Sequence, residues 1–187
     1  MKRRHLLVFI INVIAIMSGC NNRHDYIEKT LQKMQSRPIN LCLDKMQCRV
    51  RNMDTVIVDS MKPDLRLVVY IDSTECSPCA LDRLYKWNGL ISEAKKYGGR
   101  LKYIFIVAPK RNQLEDVYLS IESSGVDSPV YVDTAYCLRK ENNEINSEKM
   151  FHVFCLNKND SVILVGDILD NDRVDSIFRK QIRAQIN

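Results

Sequence analysis

Two apolar runs rich in β-forming residues, Leu65-Arg-Leu-Val-Val-Tyr-Ile71 and Leu101-Lys-Tyr-Ile-Phe-Ile-Val107, enclose a stretch with helical spacing. That pairing limits the fold more than any other feature of the chain. A strand with so little polar alternation needs cover on both faces, the condition of strands inside an α/β sheet. Between the runs, Leu84, Trp87, Ile91 and Ala94 recur at helical intervals. They predict a helix over roughly 77–97, and Gly98-Gly99 offers the left-handed residue that ends one. Together the three pieces make a β-α-β unit.

The pattern continues toward the C-terminus. Asn112, with Glu115 three residues later, looks like a variant capping box that opens a helix on Leu114, Val117 and Ile121. Gly125 closes it, and Pro129-Val-Tyr-Val132 is the next short strand. After a polar connection over 134–149, Phe151-His-Val-Phe-Cys-Leu156 and Ser161-Val-Ile-Leu-Val165 flank Asn157-Lys-Asn-Asp160. Two β-rich runs around a turn-rich tetrapeptide predict a hairpin. From about Asn171, Val174, Ile177, Phe178, Ile182 and Ile186 form one helical stripe. The order predicts an α/β fold of three layers, α/β/α, with a mixed sheet and a C-terminal β-hairpin plus helix.

Upstream the signal is weaker. Within an ambiguous stretch, 39–60, Thr55-Val-Ile-Val58 is the best strand candidate. Ile27, Leu31 and Met34 give a short helical pattern in the polar segment 21–38, which reads as a tether with a transient or docked helix. The expected organisation is a leader over 1–19, a lipidated N-terminus and tether over 20–53, and one domain over 54–187.

The N-terminus names a compartment. Met1-Lys-Arg-Arg-His5 is basic, and Leu6 to Met17 is apolar apart from Asn12. The apolar stretch falls short of the roughly 20 residues that span a bilayer and suits a secretory leader. Met17-Ser-Gly-Cys20 resembles a bacterial lipobox, which predicts acylation of Cys20 and attachment to a bacterial membrane facing the periplasm. The alternative is ordinary leader cleavage near Gly19. Loss of Lys2, Arg3 and Arg4 with the leader lowers the net charge from +5 to +2. No basic tract remains that argues for nucleic acid. Seven cysteines become six if Cys20 is lipidated, in a compartment where disulfides persist.

Cys76-Ser-Pro-Cys79 falls at the corner between the first apolar run and its helix. Two cysteines at this spacing can close a small disulfide ring, and unpaired N–H groups at a helix start favour the thiolate that attacks disulfides. An inert disulfide or half of a zinc site would use the same residues, but Cys42 and Cys48 are spaced poorly for a second zinc pair.

The motif and the element order together resemble the thioredoxin-like fold, and especially membrane-tethered periplasmic thiol–disulfide oxidoreductases, including those that keep apocytochrome cysteines reduced. The resemblance covers roughly 54–187 and rests on Cys76-Ser-Pro-Cys79, on Pro129-Val-Tyr-Val-Asp133, and on the terminal hairpin and helix. Val69 to Cys76 also resembles a segment of exported lipoproteins. The resemblance implies that Cys76 is the exposed nucleophile and Cys79 the resolving thiol. It implies no soluble cofactor, and an exported protein as substrate or redox partner. Two positions depart from the family. Its cis-proline before the hairpin would fall near Met150 or Phe151, and the aromatic before the first cysteine is replaced by Ser73, Thr74 and Glu75. A carboxylate at Glu75 opposes the thiolate at Cys76.

Other readings use the same residues. A non-catalytic binding module would keep the fold and a structural disulfide. A copper chaperone would join Cys76 and Cys79 to His152, although such proteins separate their cysteines by three residues. A peroxidase would need a proline and a threonine where Val69 and Ser73 stand. Cys42 and Cys48 are close enough to bridge each other, Cys155 suits a buried apolar position, and Cys137 lies in a polar connection. Asp72, Glu75 and Asp133 are candidate proton acceptors or solvated caps.

Overall fold

Residues 22–56 and 61–186 are described by a computed structural model. The leader, Cys20 and the Ile57-Val58 part of the upstream strand candidate lie outside them. Helix α1 (22–35) comes first. A 3₁₀ turn at Leu43–Lys45 leads to strands β1 (Gln47–Val50), β2 (Met53–Thr55) and β3 (Leu65–Ile71). Helices α2 (Ser77–Leu81) and α3 (Asn88–Ala94), with 3₁₀ turns after each, precede β4 (Leu101–Val107). Then come α4 (Leu114–Ser123), β5 (Val130–Val132), α5 (Cys137–Glu141), β6 (Val153–Asn157), β7 (Val162–Val165) and α6 (Asp172–Ile186).

The strands form one mixed sheet in the order β2-β1-β5-β4-β3-β6-β7. β3, β4 and β5 are parallel, and the other neighbours are antiparallel. The register explains the continuous apolar runs. Leu65, Leu67, Val69 and Ile71 of β3 join Tyr103, Phe105 and Val107 of β4 in a core under α2, α3, α4 and α6. The intervening Val68, Tyr70, Ile104 and Ile106 enter a second core on the opposite face. Apart from half-buried Arg66 and Lys102 near their starts, the two strands are buried on both faces and need no polar alternation.

The second core is covered largely from upstream. Met34 of α1 is fully buried, and Ile39, Leu41, Cys42 and Met46 pack beside Leu138 of α5, Ile145 and Phe151. Asn142 fixes this segment: it accepts from the Asn40 amide (2.8 Å) and donates back to the Asn40 carbonyl (2.7 Å). The helix expected as transient or docked is docked, and β1 and β2 bring residues 47–55 into the sheet.

Two expected helices differ in detail. The single helix over 77–97 is broken into α2, a 3₁₀ stretch at Leu84–Trp87, α3 and a 3₁₀ turn that ends at left-handed Gly98. The break lies at 82–87, and the α-helix resumes at Asn88. The Asn88 side chain is drawn away to the end of α4, donating to the Gly125 carbonyl (2.8 Å) and accepting from the Asp127 amide (2.9 Å). The capping box at Asn112 and Glu115 does not form. A 3₁₀ turn at Arg111–Gln113 leads into α4 without a side-chain cap.

Candidate active site

β3 carries the chain to the surface, and Asp72, Glu75 and Cys76 follow it before α2 begins. Asp72 closes the corner by accepting from the Thr74 amide (2.8 Å). Cys76 is the N-cap of α2, with Pro78 in the first turn, where a missing N–H costs no hydrogen bond. Cys76 and Cys79 are joined in a disulfide with their Cα atoms 5.4 Å apart. Ser77 between them is buried.

Both cysteines are exposed. A buried Cys79 thiol would need a nearby carboxylate to take its proton. Cys79 faces a groove of about 900 Å³ instead of lying beneath a neighbouring loop. The groove runs from Ile27 and Leu31 of α1, past the disulfide, to Asp167 and Val174 at the start of α6. An exposed thiol can pass its proton to water, so no buried carboxylate is needed beside Cys79.

On the other wall stands the segment where the family's cis-proline would fall. Lys149–Phe151 forms a 3₁₀ turn, and no cis peptide bond occurs among the described residues. The turn uses its own amides: Phe151 N–H donates to the Glu148 carbonyl and His152 N–H to the Lys149 carbonyl, each at 3.0 Å. Substrate backbone therefore finds these donors occupied, and the groove offers side-chain surface such as Ile27, Leu31 and Met150.

Glu75 does not face the groove as a bare charge. Lys149 Nζ lies 2.9 Å from one carboxylate oxygen and His152 Nδ1 3.3 Å from the other. Burial pushes the Glu75 carboxyl up, but the His152 and Lys149 contacts outweigh it and hold it below the usual carboxylate range. Asp72 behaves alike. Burial pushes it up, and the Thr74 contacts with the Arg139 guanidinium (3.0 Å) bring it below its ordinary value. Asp133 serves elsewhere, accepting from the Cys137 and Leu138 amides at the start of α5. Asp167, which the sequence reading passed over, lines the groove, and burial pushes its carboxyl up.

The remaining cysteines among the described residues are thiols. Cys42 and Cys48 are buried and free, not bridged, because each is taken up by its own packing. Cys42 enters the second core, and Cys48 lies opposite Tyr131 across the β1–β5 pair. Burial pushes the Cys42, Cys48 and Cys137 thiols up, with Asp133 adding to Cys137, and Cys155 is pushed up to about 12. Thiols held in this way are poor nucleophiles, and none of the four lines the groove. The copper reading loses its histidine. His152 lines the groove with Cys76 and Cys79, but its ring nitrogens already face Glu75 and the Asn146 carbonyl (3.1 Å).

No family model and no curated protein matches the sequence. Solved structures do. A thioredoxin-like protein in its oxidised form aligns with TM-score 0.50 and 12% identity over 77% of this chain and 96% of that one. An uncharacterised thioredoxin-like protein from Porphyromonas gingivalis aligns with TM-score 0.46 and 14% identity, covering 66% of this chain and 76% of the other. The thioredoxin domain of a thiol-disulfide oxidoreductase from Bacteroides vulgatus gives TM-score 0.45 and 16% identity over 67% and 81%. With a mixed sheet between helices and Cys76–Cys79 at the end of a central strand, the chain has the thioredoxin-like fold.

Proposed function

We propose that this protein is a thiol–disulfide oxidoreductase acting on other exported proteins. The exposed Cys76–Cys79 disulfide, opening on a groove large enough for a polypeptide segment, carries the reading. In the reducing direction, the Cys76 thiolate attacks one sulfur of a substrate disulfide. A Cys76–substrate disulfide forms, and the other substrate sulfur leaves as a thiolate that takes a proton from water. Cys79 gives its proton to solvent and attacks Cys76 Sγ. The Cys76–Cys79 bond forms and the second substrate thiolate leaves. Two electrons pass from the dithiol to the substrate, and every step reverses for oxidation. No soluble cofactor enters; a partner dithiol or disulfide resets the pair.

Attachment through acyl chains on Cys20, facing the periplasm, belongs to the same proposal and is supported by the leader and Met17-Ser-Gly-Cys20. No helix among the described residues is long and apolar enough to cross a membrane. Acyl chains would hold the protein at a surface through burial of CH₂ groups, at roughly 0.8 kcal/mol each. A binding module with a structural disulfide is the second reading, favoured by the 3₁₀ turn that replaces the cis-proline loop.

Trapping separates the two. With Cys79→Ser, the substrate-linked intermediate has no resolving thiol, so exchange predicts mixed disulfides that disappear when Cys76→Ser is added. A Cys79→Ser protein that forms none with oxidised substrate proteins would leave the binding module.

A further inference from the structure

The carboxylate beside the proposed nucleophile is the one acid in the groove that is answered by a buried ring. His152 is 2% exposed. Its Nε2 lies 3.1 Å from the Asn146 carbonyl, an acceptor, and its Nδ1 lies 3.3 Å from Glu75 Oε1, another acceptor. A neutral ring carries one proton, so whichever nitrogen holds it, the other turns a lone pair toward an acceptor, the carboxylate or the Asn146 carbonyl. The doubly protonated ring donates to both. Tyr70 fixes the ring edge-on, with centroids 5.1 Å apart, and Asn146 is itself held by its amide donating to the Tyr26 hydroxyl of α1 (2.8 Å).

On this basis, and resting on the exchange reading, we propose that His152 is a positioning residue for chemistry at Cys76. As an imidazolium clamped between Asn146 and Glu75, it neutralises the carboxylate that would otherwise oppose the Cys76 thiolate.

The surrounding groups leave this task to His152. Lys149 also reaches Glu75, but its side chain is 75% exposed, so water and salt screen its charge. Asp72 is engaged by Arg139 and Tyr70, and burial with the Asp72 charge pushes the Tyr70 hydroxyl up, so it stays neutral. Arg83 and Lys86 line the groove on the α2 side, and Asp167 lines it near α6. None of these makes a hydrogen bond to Glu75. The sequence spacing alone gave no reason to expect the pair, since the partners stand 77 residues apart.

The test follows Cys76 alkylation by iodoacetamide against pH in reduced full-length protein carrying Cys79→Ser, with peptide mass spectrometry to distinguish Cys76 from the other thiols. His152→Gln is expected to move the midpoint up by about 0.5–1 pH unit, with a rate about 3–10-fold lower on the acidic side. Adding Glu75→Gln should return it, because the charge that needed an answer is gone. Glu75→Gln alone, a near-isosteric change that keeps His152 in place, should leave the midpoint at or below the starting value. An unchanged midpoint in His152→Gln overturns the proposal, as does a shift that Glu75→Gln fails to reverse or a rise in Glu75→Gln alone. The same Cys79→Ser protein reports on the underlying reading. If it traps no mixed disulfide, exchange itself falls and the proposal with it. Trapping with a pH profile indifferent to His152→Gln removes only the role of His152.

Discussion

Asp72 and Glu75 lie three residues apart at the same corner and are both held ionised, by different partners. Asp72 accepts from a backbone amide next door and from Arg139 and Tyr70. Its folded value is depressed, so its stabilisation is fully present above the ordinary carboxylate value of 3.8 and fades as pH falls through the lower folded value. Asp72→Asn should therefore cost about 1–3 kcal/mol in urea unfolding at pH 7, and the gap to the wild type should narrow below about pH 4. A gap that stays constant down to pH 2 would contradict it. The role of Asp133 as a cap was within reach of the sequence, because its partners Cys137 and Leu138 follow it closely. Lys149 and His152 were not readable as partners of Glu75, since no local pattern links a strand-end acid to a turn on another element.

At the scale of elements, the strands from β3 onward were legible, and β1, β2 and the helix interiors less so. β3, β4, the hairpin of β6 and β7, and the glycine stops at Gly98 and Gly125 follow directly from apolar runs and left-handed residues. The break inside 77–97 does not, because a period that spans it continues on both sides: Leu84, Trp87 and Ala94 all reach the first core. Asn88, where the α-helix resumes, is held by a tertiary contact. Asn88→Ala removes both side-chain hydrogen bonds to the end of α4 and should cost about 1–2 kcal/mol, read as a lower urea midpoint with an unchanged slope. A midpoint equal to or above the wild type would mean that helix propensity at residue 88 outweighs the tie. In α6 the stripe narrows to Val174, Phe178, Ile182 and Ile186, and Ile177 turns outward at 39% exposure. Spacing alone could not exclude it.

For the whole molecule, the unreadable part was the second core. Polar residues surround Met34 in the sequence, and only the opposite face of the sheet explains its burial. That docking matters to the site, because α1 contributes Ile27 and Leu31 to the groove and Tyr26 to the support of Asn146. The candidate site thus lies where α1, the end of β3, the 149–153 segment and the start of α6 converge. Cys76 and Cys79 were plain from the sequence; the wall facing them was not. The claim that joins these parts is that the pair is a working redox couple, and its equilibrium in glutathione and dithiothreitol buffers tests that most directly. A working couple titrates reversibly between about −120 and −270 mV, and its place in that range tells oxidant from reductant. A pair that stays oxidised until below about −300 mV would be a structural staple, and the protein would then be a binding module on a thioredoxin-like frame.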